Sequence, residues 1–149
     1  MKPSIISDSA CLIGLERIQS LDILPGLFDP VVIPPEVQQE FGTVLPWLHV
    51  EIPSNPGFIA SLKLMVDDGE AEAIALAYEK GWRIILDDRH ARKIAVRLGV
   101  TMIGTVGILV KAKRHGHITA VKPLIEQLEK HNFYISEALK HEALRLAGE

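Results

Sequence analysis

The chain has 149 residues, 48% of them hydrophobic, and a formal net charge of −3 at pH 7. Those values exclude a globally disordered chain and a generally basic nucleic-acid binder, and they suit one domain, residues 1–149, with a proper aliphatic core. No apolar run approaches the ~20 residues of a membrane span, and charge comes too early in MKPSIISDSACLIGLERI for a signal peptide, so a cytoplasmic protein is expected.

The β-branched run 4–7 predicts a buried strand. A helix over 9–18 follows, with Leu12, Leu15 and Ile18 inward and Asp8 or Ser9 as N-cap. The single Cys11 on it rules out an internal disulfide and reads as a small buried apolar side chain. A weaker short helix lies around 21–27, and Val31–Ile33 is a second strand. Pro34 and Pro35 suit the first turn of a helix that continues over 36–41, with Val37 and Phe41 facing one way and Glu36 and Glu40 sharing a neighbouring face. Residues 46–57 (PWLHVEIPSNPG) predict a long irregular connection with a short strand near 49–52.

Asp67, Asp68 and Gly69 are expected to form a turn before an Ala-rich helix over 70–80, whose small side chains permit close packing on a sheet and which Gly81 ends. A central strand is expected over 83–86, a helix over 89–98 stopped by Gly99, and a strand over 100–103. Gly104 and Thr105 turn into a helix over 105–114, and two amphipathic helices follow near 121–131 and 136–147, the last with Ser136 as N-cap. A short edge strand is expected at 133–135. Strands alternating with helices imply a mainly parallel sheet in an α/β/α sandwich, with helices on both faces.

Strand C-termini in such a sheet line one edge, where ligands bind. The order of elements delivers Asp8, Glu40, Glu70 and the pair Asp87–Asp88 to that edge. Carboxylates crowded there require a positive partner, and the natural one is a divalent metal with oxygen ligands. Taken singly each acid has a plainer reading: Asp8 as an N-cap, Glu40 as a solvated helix residue, Glu70 as a favourable charge at a helix start. Consecutive acids after the buried run Ile84–Leu86 are the sharpest feature.

Charge is unevenly distributed. Residues 81–122 carry 9 Lys/Arg against 2 Asp/Glu, whereas residues 1–80 carry 4 against 12. A basic surface beside an acidic pocket suits a polyanionic substrate. Arg89, Arg92 and Lys93 follow the acidic pair but are not expected to share one helix face. Arg89 is a candidate for a phosphate contact, and Arg92 for an ion pair with the carboxylates. The six histidines form no ligand grouping, and Gly104–Gly107 lacks the lysine of a phosphate-binding loop.

The stretches IISDSACLIGL (5–15), VIPPEVQQEF (32–41), DDGEAEAIALAYEKG (67–81), IILDDRHARKIAVRLGV (84–100) and IGTVGIL (103–109) resemble, in order and spacing, the PIN-domain nucleases, within them a VapC-like branch. The resemblance implies a Rossmann-like α/β/α sandwich and an endoribonuclease dependent on Mg²⁺ or Mn²⁺. It makes Asp8 the first-strand aspartate with Ser9 beside it, and Glu40 the glutamate of the second acidic motif. Glu70 stands where many relatives carry Asp. Asp88 takes the usual fourth position, with Asp87 the stronger strand-end candidate; both stay open. Thr105 borders the site or caps its helix. Leu86 departs from the Thr or Ser common before the fourth acid. The resemblance further implies a toxin acting on RNA, a small antitoxin encoded separately, and a homodimer. The alternative is a catalytically degenerate PIN-like module that binds nucleic acid or regulates. A phosphotransfer domain ranks below both, because Asp8 is followed by Ser9 and Ala10 rather than by a second Asp two residues on.

Overall fold

Short β-branched runs form the centre of the molecule in the computed structural model, which describes residues 1–149. Five strands, β1 (Ile5–Ser7), β2 (Val31–Ile33), β3 (Leu48–Val50), β4 (Ile84–Ile85) and β5 (Met102–Ile103), make one sheet in the order β3-β2-β1-β4-β5. Every pairing is parallel. The residues of β1, β2 and β4 are buried throughout, as a sheet covered on both faces demands.

Nine helices surround the sheet: α1 (Ser9–Arg17), α2 (Ile23–Leu27), α3 (Pro35–Phe41), α4 (Pro56–Leu62), α5 (Asp68–Lys80), α6 (Arg89–Arg97), α7 (Thr105–Arg114), α8 (Lys122–Lys130) and α9 (Glu137–Leu146). The Ala-rich helix α5 packs against β1 and β4 and against α3 and α4. Its alanines 71, 73, 75 and 77 are all buried, because a helix enclosed on several sides has no room for longer side chains. Leu12, Leu15, Ile18, Val37, Phe41 and Cys11 are buried as the periodicity predicts. No helix is long and apolar enough to cross a membrane.

Four local expectations need correction. Residues 67–69 are not a free turn: Asp67 is an N-cap, and Asp68 and Gly69 already lie within α5. The irregular connection 46–57 gives way at Pro56 to α4, capped by the Asn55 side chain, which accepts from the Phe58 amide at 3.0 Å. Residues 133–135 form no strand, since the sheet ends at β5. The β3 strand begins one residue earlier than expected, its register set by pairing of Leu48 with Val31.

Topology also creates a crevice. From β1 the chain moves outward through β2 to β3, then returns to the other side of β1 with β4 and continues to β5. The order therefore reverses between β1 and β4, and the C-terminal ends of those two strands flank the place where open α/β sheets bind ligands.

Candidate functional site

Asp8 and Asp87 meet at this reversal. The Asp8 amide donates to the Ile85 carbonyl at 3.1 Å, which extends the β1–β4 ladder by one step. Asp8 is only 4% exposed. One carboxylate oxygen caps α1 by accepting from the Cys11 amide at 3.0 Å; the other accepts from the Asp87 amide at 3.3 Å. Asp8, not Ser9, is thus the N-cap, and it is also the bridge between the two strand ends. Burial, then the charge of Asp87, then that of Glu70 push its carboxyl well above the usual carboxylate range, against the opposing pull of its two amide donors.

Asp87 points toward the start of α7. Its oxygens accept from the Thr105 amide at 2.9 Å and from the Thr105 hydroxyl at 2.5 Å. Thr105 is fully buried and spends its hydroxyl on Asp87; the N-cap position of α7 belongs to Gly104, which has no side chain to cap with. Burial raises the Asp87 carboxyl, while Thr105 and the nearby Arg92 guanidinium hold it back. Gly104 makes this approach possible: a Cβ there would lie 3.1 Å from Asp87 Oδ1 and 3.2 Å from Arg92 Nη1. Arg92 itself donates to the Leu86 carbonyl at 2.8 Å and forms no ion pair with the acids. It ties α6 to the end of β4 and leaves the carboxylates without a bonded cation.

Asp88 caps α6, accepting from the Ala91 amide at 2.8 Å. Glu70 completes a capping box with Asp67: its amide donates to Asp67 Oδ1 at 2.8 Å, and its side chain receives the Asp67 amide at 3.4 Å. Burial, with Asp67 and Asp88 adding like charge, lifts the Glu70 carboxyl to about 7. Glu40 is on α3 and lies over the first turn of α5, so close that a Cβ on Gly69 would meet its Oε1 at 2.1 Å. Burial raises the Glu40 carboxyl and the Ser9 hydroxyl opposes the rise.

Asp87, Asp8, Glu70 and Asp88 therefore form, in that order, a chain of acids, each link felt as charge repulsion, and Glu40 with Ser9 stands at its rim. No three acidic, histidine or cysteine side chains converge as ready ligands on a single point. The donor set is nonetheless all carboxylate oxygen, buried at Asp8, half-buried at Asp87 and Glu70 and exposed at Glu40 and Asp88, with no bonded cation among its members. That chemistry fits a hard divalent ion such as Mg²⁺ or Mn²⁺ and does not fit a soft one.

A groove of about 1460 Å³ is lined by Glu70, Asp87 and Asp88, by Arg89, Arg92, Lys93 and Arg97 of α6, and by Tyr134. Arg89, Arg92 and Lys93 do share this wall, against expectation, because positions three and four apart are neighbours on a helix. Gly69 and Gly104, expected as turn residues and Gly104 also as a close-packing one, have missing Cβ atoms that admit Glu40 and Asp87. Sequence reasoning passed over Arg97, although the spacing 89, 93, 97 was readable.

A parallel sheet in this order, with acids gathered at its reversal point, defines a Rossmann-like α/β/α protein with an acidic site. The chain belongs to the PIN domain family: the family model described as DUF3368, PIN domain, matches residues 4–149. PIN domains are generally nucleases that use divalent metals and act on nucleic acids. No curated protein matches the chain.

Proposed function

We propose that this protein is a cytoplasmic, metal-dependent endoribonuclease of the VapC kind, the toxin of a toxin–antitoxin pair, held by a small antitoxin and working as a homodimer. One observation carries the nuclease reading. Asp8, buried, and Asp87, half-buried, lie side by side at the reversal of the sheet, both with raised pKa values and neither bonded to a cation. An arrangement that costs stability in isolation is explained if a divalent ion is its counter-charge.

In this reading Asp8 and Asp87 would hold the ion, with Glu70, Asp88 and Glu40 as further oxygen donors. When bound, Mg²⁺ or Mn²⁺ lowers the pKa of a water and stabilises charge on a leaving oxygen. The remaining work falls to the chain itself. Thr105 orients the Asp87 carboxylate through its amide and hydroxyl. Arg92 pins the carbonyl before Asp87 and so fixes the strand end. Arg89, exposed at the mouth of the groove, attracts the phosphate backbone.

The test is cleavage of a mixed set of structured RNAs with Mn²⁺ or Mg²⁺, beside EDTA and Asp8→Asn. Asn caps a helix as well as Asp does, so the variant should fold. Metal-dependent cutting that disappears in Asp8→Asn supports the proposal; equal cutting by variant and parent refutes the site. The second reading, a PIN-like module that no longer cuts, draws on the engagement of the Asp8, Asp87 and Glu70 oxygens by donors of the protein itself. RNA binding with no metal binding by calorimetry would select it.

A further inference from the structure

We infer that one wall of α6 and the exposed ring of Tyr134 form a track for a single RNA strand, with Tyr134 stacking on a base a few nucleotides from the reacting phosphate. This deepens the nuclease reading and rests on it. Three observations converge on the same groove.

The first is a ladder of charge. Arg89, Lys93 and Arg97 succeed one another four residues apart, so they lie in one row on α6, with roughly 6 Å of rise between neighbours. That step is commensurate with the spacing of phosphates along one strand. The second is that the row is unspent. The ion pairs of the protein use Lys63, Lys80, Lys113, Lys140 and Arg145, and none uses a cation of α6. All three ladder residues are exposed and face the groove that begins at Asp87 and Asp88. The ladder thus ends about 14 Å along the helix from the Asp88 cap.

The third is an aromatic ring lining the same groove. In the segment between α8 and α9 exposure alternates: Phe133 is half-buried, Tyr134 exposed and Ile135 buried. Phe133 turns inward, close enough to Gly14 that a Cβ there would touch its ring at 3.2 Å, and Ile135 is buried. Tyr134, between two anchored neighbours, is driven outward and is 87% exposed on the groove wall. An exposed ring on the same groove as a row of cations is the combination by which proteins grip single strands, the ring taking a base face and the cations the phosphates. A duplex hides its base faces and leaves such a ring unused.

The experiment is fluorescence anisotropy with a labelled unstructured RNA oligonucleotide, and with its blunt duplex, in EDTA so that no metal-dependent cutting occurs. Tyr134→Ala should weaken single-strand binding about 5- to 150-fold, Tyr134→Phe should restore it, and duplex binding should not change. Lys93→Ala and Arg97→Ala should each reduce the slope of log affinity against log salt by about 0.7. Equal single-strand binding by Tyr134→Ala and parent, an equal loss on duplex, no rescue by Tyr134→Phe, or no RNA binding by the parent would each overturn the track. Cleavage of the same oligonucleotide with Mn²⁺, read separately, tells failure of the track from failure of the nuclease reading: cutting with Tyr134 irrelevant sinks only the track, and a track without cutting sinks only the nuclease.

Discussion

Thr105→Val removes one atom's worth of chemistry from the candidate site and keeps the shape. Thr105 is fully buried, and its hydroxyl donates to Asp87 Oδ2 at 2.5 Å. The backbone amide at 105 still serves the other oxygen in the variant. What is lost is a hydrogen bond to an ionised group, worth about 1.5–3 kcal/mol, because half-buried Asp87 is left with one oxygen lacking its protein donor. In a chain of this length that corresponds to a fall in Tm of roughly 3–12 °C in EDTA. The sign with pH follows from Asp87. Its folded pKa is raised above 3.8, so its ionisation opposes folding, and the opposition grows as pH rises through the folded value. Thr105 restrains that rise; removing it raises the pKa further. The variant should therefore lose more stability at pH 8.5 than at pH 5. Thr105→Ser keeps the hydroxyl, loses a methyl, and should follow the wild-type pH profile with a constant offset. Thermal unfolding of the three proteins at the two pH values decides the matter. A Thr105→Val loss that is the same at both values would refute the account of Asp87 as a half-buried charge held by Thr105.

Glu70→Gln should flatten the pH dependence of the metal-free protein. The Glu70 carboxyl is raised from 4.5 to about 7, so its contribution to stability is complete below about 4.5 and is lost as pH rises through 7. Gln preserves the capping box and cannot titrate, so urea unfolding should show less loss between pH 5 and 8 than in the parent; an identical loss would exclude Glu70 as its source. Gly69→Ala separates Glu40 from the fold. The new Cβ would displace the Glu40 carboxylate, which is the free end of a flexible side chain, while Ala improves the helix by up to about 1 kcal/mol. Unchanged or higher Tm with weaker Mn²⁺ binding is expected, and Mn²⁺ affinity equal to the parent would remove Glu40 from the rim of the site.

Most of the architecture was legible along the chain because each element carries its own signal. Pro35 opens α3 from its first position, Gly81 closes α5 with φ +68°, and the buried runs of β1, β2 and β4 announce a sheet covered on both faces. The short helix α4 escaped because residues 53–57 hold two prolines and a glycine, and its one fully packed residue, Leu62, lies at its end. The run 133–135 shows the converse: its residue types suit a strand, but whether such a segment finds a strand partner depends on where the sheet stops.

The acids were legible as types and places. Position at a strand end, at a helix start or, for Glu40, on a helix face follows from local pattern, so Asp8, Glu40, Glu70, Asp87 and Asp88 could be named from the chain. Their division of labour could not. Asp87 and Asp88 are adjacent in sequence, yet one turns to Thr105, eighteen residues away, and the other caps its own helix. Asp8 reaches the amide of Asp87 across seventy-nine residues. Local chemistry determines what each segment forms, because capping, periodicity and turn preferences act over a few residues. Which carboxylates lose their water, and which repel one another, is decided only when the sheet reverses between β1 and β4 and closes distant segments around the same crevice.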